Sequence, residues 1–519
     1  MIVFLIALLG WLIQSIILFN WDVSWLMEAS NRLLHGGSYA KDFFENNPPL
    51  ILYEYFIPNL LRIFFHFNKI IALRIYVFGM AGISLYLSRI FLKSIFPAKD
   101  TLLANLSLIT LSCLFFILPM DQFGQREHLL FIFSMPYFLM MTLRLQQQPI
   151  KSAMAYGVGA FAAFGFLLKP YFLPTLVLVE LYYLYAAKEK KLTNFIRPEI
   201  ISIACLLLLY MAAILIFHRD YLFIVLPYAM RWCRFDNVLP WRIVLFNHFA
   251  LFCLIPLAAI FFRNNPYKNL FHILIIALVG FLISYYIQRT LSYYHILPAF
   301  SLTLLIFMLL LGMLIAKPCA LNHVIAMIFG ILIFYYPYLI LFNTFNSSIT
   351  EKLSLNKLIE FIDQHGQYQS LYFLSNQIVT AYPVVDYTHD FRVVSRFSFL
   401  MGLQGMVKQY DMPFDRLRSP YQTKDKDFLI DMIADDIEQK KPDLIFVDVG
   451  ENSKQFAELF YIKNDTWQIK SLPFNYLDAF AHNAHFRAAW AHYRYMTTVQ
   501  QDDFSQPYTY RFEVYQRKT

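Results

Sequence analysis

Stretches of about twenty residues with few or no charged side chains recur through the first two-thirds of the chain and constrain its fold most strongly. Only 15% of the 519 residues are charged and 58% are hydrophobic, whereas ordinary soluble domains have roughly a quarter of their residues charged. A soluble core cannot bury that much apolar surface, but a bilayer core about 30 Å thick accepts it as helices. The sequence therefore predicts an α-helical polytopic membrane protein.

Hydropathy predicts about eleven transmembrane helices within residues 1–342. The first one lacks a basic leader and a small-residue cleavage site, so we expect it to be retained in the mature protein. Residues 50–65 are also apolar, but Glu54, Pro58 and Arg62 favour a helix that lies flat in the membrane interface. The predicted spans are residues 2–19, 70–92, 102–119, 128–143, 152–168, 171–187, 199–217, 243–262, 269–287, 296–315 and 322–342.

The charges in the loops predict the orientation of these spans. Alternate loops are short and basic, with positive residues within 89–99, 144–151, 188–197, 263–268 and at 317, while the other loops carry both signs. Because basic loops stay on the cytoplasmic side, we expect a cytoplasmic N-terminus and a periplasmic or extracytoplasmic tail, in a multi-pass protein of the inner (plasma) membrane. Outside the short run 188–191, no basic block is interleaved with aromatic residues, so no nucleic-acid partner is predicted.

The tail, residues 343–519, has the composition of a soluble domain. Helical patterns at 353–364 and 428–439 are each followed by a short apolar run, at 370–374 and 443–448. A helix followed by a buried strand, twice, predicts a small extracytoplasmic α/β domain. Gly402 and Gly405 stand in no strand-to-helix context, so no phosphate-binding glycine loop is predicted.

The first outer loop, residues 20–69, carries the most informative polar residues. Asp22 follows the first span directly, residues 24–35 form an amphipathic helical pattern ended by Gly36-Gly37, and Pro48-Pro49 opens the interfacial helix. A carboxylate at the membrane boundary is placed to act on a substrate whose reactive part lies among the lipid headgroups. The alternative is that Asp22 caps the helix beginning near Val23 and meets only water.

Three further outer segments combine acidic, basic and histidine residues. A transfer from a polyprenyl phosphate needs a base for the acceptor hydroxyl and cations for the departing phosphate. As alternatives, Lys169 and Arg289 snorkel to the interface, and His128 and His295 are satisfied interfacial histidines. Glu180, inside the sixth span, is interpreted as an interhelical contact. The segments are Asp121-Gln-Phe-Gly-Gln-Arg-Glu-His128, Leu168-Lys169-Pro170 and Gln288-Arg-Thr-Leu-Ser-Tyr-Tyr-His-Ile-Leu-Pro298.

Together these segments resemble GT-C glycosyltransferases, and most of all the branch with protein O-mannosyltransferases and the lipid A aminoarabinose transferase. The first loop is similar through Asp22, the Gly36-Gly37 helix end, the turn from Tyr39 to Asp42 and Pro48-Pro49-Leu50. The family often has Asp-Glu where this chain has Asp22-Val23. In the last segment Arg289 stands where the family usually has Lys, and the family's glycine is missing.

The resemblance implies an inverting glycosyltransferase that moves a sugar from a polyprenyl-phosphate donor to an envelope glycan, lipid or protein acceptor on the extracytoplasmic face. A divalent metal near Asp22, Asp121 or Glu127 stays open, and no other cofactor is implied. The alternatives are a transporter or flippase of a lipid-linked or anionic solute, and a non-catalytic scaffold. Asp22 and Glu127 are the implied catalytic residues, and Arg126, His128, Lys169, Arg289 and His295 the implied ligands of the substrate and its phosphate.

Overall fold

The structure is a computed structural model that describes residues 1–187, 196–232, 239, 241–257, 265–315, 320–376, 386–387, 391–400, 402–403, 405–406, 420–449, 459–463, 466–470, 475–501 and 510–518. Its α-helices are α1 (Ile2–Ile16), α2 (Trp21–Leu34), α3 (Leu50–Glu54), α4 (Phe56–Phe65), α5 (Lys69–Ile95), α6 (Thr101–Phe116), α7 (Arg126–Leu145), α8 (Ser152–Phe166), α9 (Leu173–Ala186), α10 (Pro198–Phe217), α11 (Leu226–Arg231), α12 (Trp241–Leu245), α13 (His248–Leu254), α14 (Lys268–Gln288), α15 (Tyr293–Ile315), α16 (Ala320–Ser354), α17 (Asn356–Gln364), α18 (Pro420–Lys440), α19 (Tyr476–Phe480) and α20 (Ala484–Trp490). Its strands are β1 (Ser370–Leu374), β2 (Arg392–Val393), β3 (Leu444–Asp448), β4 (Leu459–Lys463), β5 (Thr466–Lys470), β6 (Tyr493–Gln501) and β7 (Tyr510–Arg517).

The chain divides into two compact units. The first contains Met1–Ile17, Asn47–Ile216 and Val238–Asn346, and the second contains Leu18–Asn46, Phe217–Asn237 and Ser347–Thr519. The sequence placed the division at 342/343 and assigned the whole first outer loop to the membrane domain. In the structure, Leu18–Asn46 of that loop forms one compact unit with Ser347–Thr519, a grouping that depends on packing and not on hydropathy.

Within the described residues, six helical segments are long and apolar enough to cross a membrane: α5, Ala98–Phe116, α7, α10, α14 and α15. The helices α1 and α2, bent by 89° at the break between them, are long and apolar enough only when taken together, which raises the number to seven at most. The chain is therefore a helical membrane protein by its apolar helices. The described part does not support the predicted eleven spans.

Helix length and helix breaks explain why three of the predicted spans are missing from this number, while the fourth, 322–342, lies within α16, several of whose side chains are outside the described part of the chain. Helix α8 has 15 residues and α9 has 14, so at 1.5 Å per residue each is about 21–23 Å long, shorter than a hydrocarbon core of about 30 Å. The predicted span 243–262 is interrupted at Asn247, whose side chain caps the N-terminus of α13 by accepting from the Phe249 and Ala250 N–H groups. A hydropathy window counts apolar residues and does not detect such a break.

Residues 50–65 form two short helices, α3 and α4, which meet at Tyr55. Neither one is long enough to span a bilayer. One side of α4 leaves Ile57, Phe64 and Phe65 48%, 70% and 62% exposed. This apolar face agrees with the predicted helix in the membrane interface. The basic residues predicted at 188–191, 263 and 317 lie outside the described residues.

Helix α7 is the most buried of the six candidate spans. Of its most apolar 18 residues, 89% are buried inside the protein, against 11% for the corresponding stretch of α10. Glu180 of α9 accepts hydrogen bonds from Tyr137 of α7 and from Arg197, which confirms the predicted interhelical contact. Glu180 therefore ties α9 to the central helix of the first unit.

An ion-pair network continues from Arg197. This guanidinium also donates to Glu199 over 3.1 Å, and Glu199 pairs with Arg144 of α7 over 2.9 Å. Since charges among apolar helices are tolerated when they are paired, this network locks α7, α9 and α10 together.

Close packing of α14 on α9 depends on Gly280. A Cβ atom at this position would lie 2.4 Å from Thr175 Cα. We expect Gly280→Ala to push the helices apart and to lower the stability by about 1–3 kcal/mol, measured as a lower thermal midpoint in detergent. Gly79→Ala in α5 is the matched control, because no atom lies within 4 Å of its Cβ and alanine favours the helix. Equal midpoints for the two variants would contradict the packing.

The second unit contains a five-stranded mixed sheet with the order β2-β1-β3-β7-β6. Strand β1 is parallel to β2 and β3, while β7 is antiparallel to β3 and β6. The predicted strands at 370–374 and 443–448 are confirmed as β1 and β3, and the predicted helices correspond to α17 and α18. Both strands are buried along their whole length, as parallel strands covered on two faces are. Strands β6 and β7 were not predicted.

Candidate functional site

Three predicted site residues meet in the first unit at one end of its helices. Lys169 Nζ lies 2.6 Å from Glu127 Oε1, and His295 Nε2 lies 3.7 Å from the same oxygen. The Glu127 side chain is fully buried, and those of Lys169 and His295 are only 8% and 7% exposed. We call Glu127, Lys169 and His295 the carboxylate cluster.

Local sequence places each member at a helix end. Glu127 lies in the first turn of α7, where a carboxylate is favoured by the positive end of the helix dipole. Lys169 precedes Pro170, which holds it in an extended conformation (φ −142°, ψ 141°) before the 3-10 turn Pro170–Phe172. His295 lies in the first turn of α15, and its Nδ1 is hydrogen-bonded to the Thr290 hydroxyl.

The surroundings of the carboxylate cluster are cationic and aromatic. Lys169 Nζ lies 5.7 Å from the centre of the Phe172 ring and 5.6 Å from that of Tyr294, so both rings add cation–π attraction. Arg126, which is 3% exposed, lies within electrostatic range of His295, as does Lys169. Two permanent cations therefore lie near His295 of the cluster, and one of them, Lys169, pairs with Glu127; this arrangement attracts an anion.

The second oxygen of the Glu127 carboxylate is unpaired among the described residues. Glu127 Oε2 is buried and has no hydrogen-bond partner in the part of the chain that the structure describes. Buried carboxylate oxygens are nearly always hydrogen-bonded in folded proteins. A ligand that brings a hydroxyl donor to this oxygen and a negative charge to the neighbouring cations would complement the arrangement.

His128 has a different environment from His295. Its Nδ1 accepts from the Gly124 N–H over 3.1 Å, and its Nε2 therefore donates to the Phe115 carbonyl over 3.0 Å. The Tyr55 hydroxyl donates to the Gly124 carbonyl over 2.7 Å. These bonds hold the loop before α7 and agree with a satisfied histidine, while binding of substrate by His128 stays a prediction.

Arg289 lies at the C-terminus of α14 in a left-handed conformation, with φ 52°. Its Nε donates to the Leu239 carbonyl over 3.1 Å, and its guanidinium lies 4.9 Å from the centre of the Trp241 ring. Within the described residues, none of its contacts reaches the carboxylate cluster. Its phosphate-binding role stays a prediction that depends on movement of this side chain.

Asp22 lies in the second unit, in the first turn of α2. The capping residue is Asn20, whose Oδ1 accepts from the N–H groups of Asp22 and Val23 over 3.0 and 3.1 Å. The alternative in which Asp22 itself caps the helix is therefore wrong. Asp22 is only 8% exposed and lies at the positive end of the helix dipole.

Glu54 is a second buried carboxylate of the first unit, and its polar contact is with a neutral tyrosine. Its Oε2 accepts from the Tyr76 hydroxyl over 3.2 Å. Burial raises the pKa of Glu54 well above its usual range, and the bond from Tyr76 opposes this only in part. No cation pairs with Glu54 in the described part of the chain, in contrast to the carboxylate cluster.

Sequence reasoning passed over two residues that support the cluster, Thr290 and Tyr294. Both lie within residues 288–298, the segment that carries His295, and their contacts with the cluster follow from packing that no sequence pattern indicates. No group of three or more His, Cys, Asp or Glu side chains suited to a metal occurs among the described residues. Neither a protein-family model nor a curated protein matches the sequence.

Proposed function

We propose that this chain is an inverting glycosyltransferase that uses a polyprenyl-phosphate sugar as its donor. The observation that carries the proposal is the carboxylate cluster, in which a buried carboxylate with one unpaired oxygen pairs with Lys169, and Arg126 lies near His295 of the same cluster. A sugar phosphate supplies both complementary groups in one molecule, since its hydroxyls donate and its phosphate is anionic. Apolar helices around such a site suit the lipid portion of the donor.

Each predicted residue has a role in this proposal. Asp22 is the base that withdraws or orients the acceptor proton while the acceptor oxygen attacks the anomeric carbon with inversion. Lys169 and Arg126 stabilise the departing phosphate, and Arg289 and the histidines assist it. Glu127 orients Lys169, and its Oε2 accepts a hydrogen bond from a sugar hydroxyl. These roles follow the GT-C resemblance of the first loop and the later segments.

The proposed location is the inner (plasma) membrane, with a cytoplasmic N-terminus and an extracytoplasmic tail. The short basic loops support this orientation, since such loops stay in the cytoplasm. The acceptor, whether an envelope glycan, a lipid or a protein, is then reached from the outer side.

Mass spectrometry of the cell envelope tests the proposal and identifies the acceptor. Cells that express the protein are expected to carry a glycan, lipid or protein with one additional sugar, which cells lacking it do not carry. A variant with Asp22→Asn is expected to match the cells without the protein. An unchanged envelope, together with a lipid-linked sugar redistributed across the membrane, would instead favour the flippase alternative.

A further inference from the structure

Within the second unit, Arg32 near the C-terminal end of α2 forms hydrogen bonds with the tail. The Arg32 guanidinium donates to the Val393 carbonyl over 2.6 Å and to the Ser395 carbonyl over 2.7 Å. It also donates to the Asp42 carbonyl of its own loop over 2.9 Å. One side chain of α2 thus joins three backbone carbonyls, two of which belong to the tail.

Arg396 of the tail makes the reciprocal contact. Its Nη1 donates to the Ala40 carbonyl over 2.8 Å, and its own carbonyl accepts from the Phe44 N–H over 2.6 Å. Its Nε donates to Asp436 of α18 over 2.9 Å. Asp436 is fully buried and also pairs with Lys440 over 2.7 Å, so a buried network holds Arg396 in place.

The N-terminal end of α2 is held by a second set of tail residues. The Ser24 hydroxyl donates to the Asp386 carboxylate, and the Phe19 N–H donates to the Tyr387 hydroxyl over 3.0 Å. The Leu18 N–H donates to the Ser348 hydroxyl over 2.6 Å. Ser24 is only two residues from Asp22, so these bonds act on the turn that carries the proposed base.

We infer that the tail positions the Asp22 carboxylate by holding α2 at both ends, with Asp386 and Arg396 as positioning residues. Two separated attachments fix the translation of the helix along its axis and its rotation about that axis. Misplacement of a reacting group by about 1 Å can cost about a hundredfold in rate. This inference rests on the proposed role of Asp22, although the attachment of α2 can be tested without sugar transfer.

The test compares Asp386→Ala, Asp386→Asn and Asp363→Ala in the full-length protein in lipid nanodiscs. Asp363 is an exposed carboxylate of α17 and serves as the control. Hydrogen–deuterium exchange mass spectrometry follows the amides of residues 20–34, and turnover of a polyprenyl-phosphate sugar gives kcat and KM. Asp386→Ala is expected to speed exchange and to lower kcat about tenfold or more, with KM changed less than about threefold. Asp386→Asn keeps an oxygen that accepts from Ser24 and is expected to restore both readouts.

Tyr387→Phe is a milder second variant that removes only the hydroxyl accepting from Phe19. If Asp386→Ala does not fold, Tyr387→Phe tests the attachment in its place. Like Asp386→Ala, it is expected to speed exchange of residues 20–34 and to lower kcat. Unchanged exchange would overturn the attachment, and faster exchange with an unchanged kcat would overturn the positioning role. If the unmodified protein transfers no sugar, the proposed function fails, and the exchange data still report whether the tail holds α2.

Discussion

Lys169→Met is expected to destabilise the protein by about 3–5 kcal/mol, because it leaves the Glu127 carboxylate buried without its closest cation. Glu127 is fully buried and Lys169 Nζ lies 2.6 Å from its Oε1. The other neighbour, His295, lies 3.7 Å away and is charged only when protonated. It therefore compensates the carboxylate less well than the lysine does. Methionine fills a similar volume, so the loss reports charge and not packing.

The double variant Glu127→Gln, Lys169→Met shows whether the lost stability comes from an unpaired buried charge or from the loss of the ion pair itself. Removing both charges leaves no unpaired ion, and neutral replacements of buried pairs are often close to neutral in stability. We expect most of the lost stability to return, while donor turnover stays abolished because the cation for the phosphate is missing. Such an outcome would separate a role in function from a role in folding.

Thermal unfolding in detergent, followed for the two single variants and the double variant, measures this coupling. Lys151→Met is the control, since Lys151 is exposed and its loss should change the stability by no more than about 0.5 kcal/mol. A Lys169→Met protein as stable as the unmodified one would contradict the buried pair. So would a double variant whose loss equals the sum of the two single losses.

The sequence predicted well the features that depend on local pattern. Strands β1 and β3 were predicted within one residue of their observed bounds, because short apolar runs between polar helices mark buried parallel strands. Residues 50–65 were predicted not to form one spanning helix, because Glu54, Pro58 and Arg62 interrupt an otherwise apolar stretch, and they form the two short helices α3 and α4. Glu127, Lys169 and His295, which were singled out in three separate segments, meet in one cluster.

Other features depend on packing that a hydropathy pattern does not contain. The spans were overcounted because the breaks at the end of α9 and at Asn247 alter helix length without altering composition. The segment Leu18–Asn46 joins the tail through hydrogen bonds from Arg32 and Ser24 that connect residues more than 350 positions apart. Single-sequence reasoning has no means of pairing such distant residues.

Asp22→Asn is expected to leave the protein folded and to abolish sugar transfer. The amide has almost the shape of the carboxylate but does not accept the acceptor's proton. The cap of α2 should survive, because Asn20 and not Asp22 supplies the capping oxygen. We therefore expect a thermal midpoint close to that of the unmodified protein, with a loss of general-base catalysis of about 10²–10⁴-fold.

Release of free polyprenyl phosphate from a purified polyprenyl-phosphate sugar, by protein reconstituted in lipid vesicles with an envelope extract as acceptor, tests the central claim most directly. We expect release by the unmodified protein and by Asp363→Asn, at equal rates, and no release above background by Asp22→Asn. Equal release by Asp22→Asn would show that Asp22 is not the base. No release by the unmodified protein, with every envelope fraction supplied, would contradict the glycosyltransferase proposal itself.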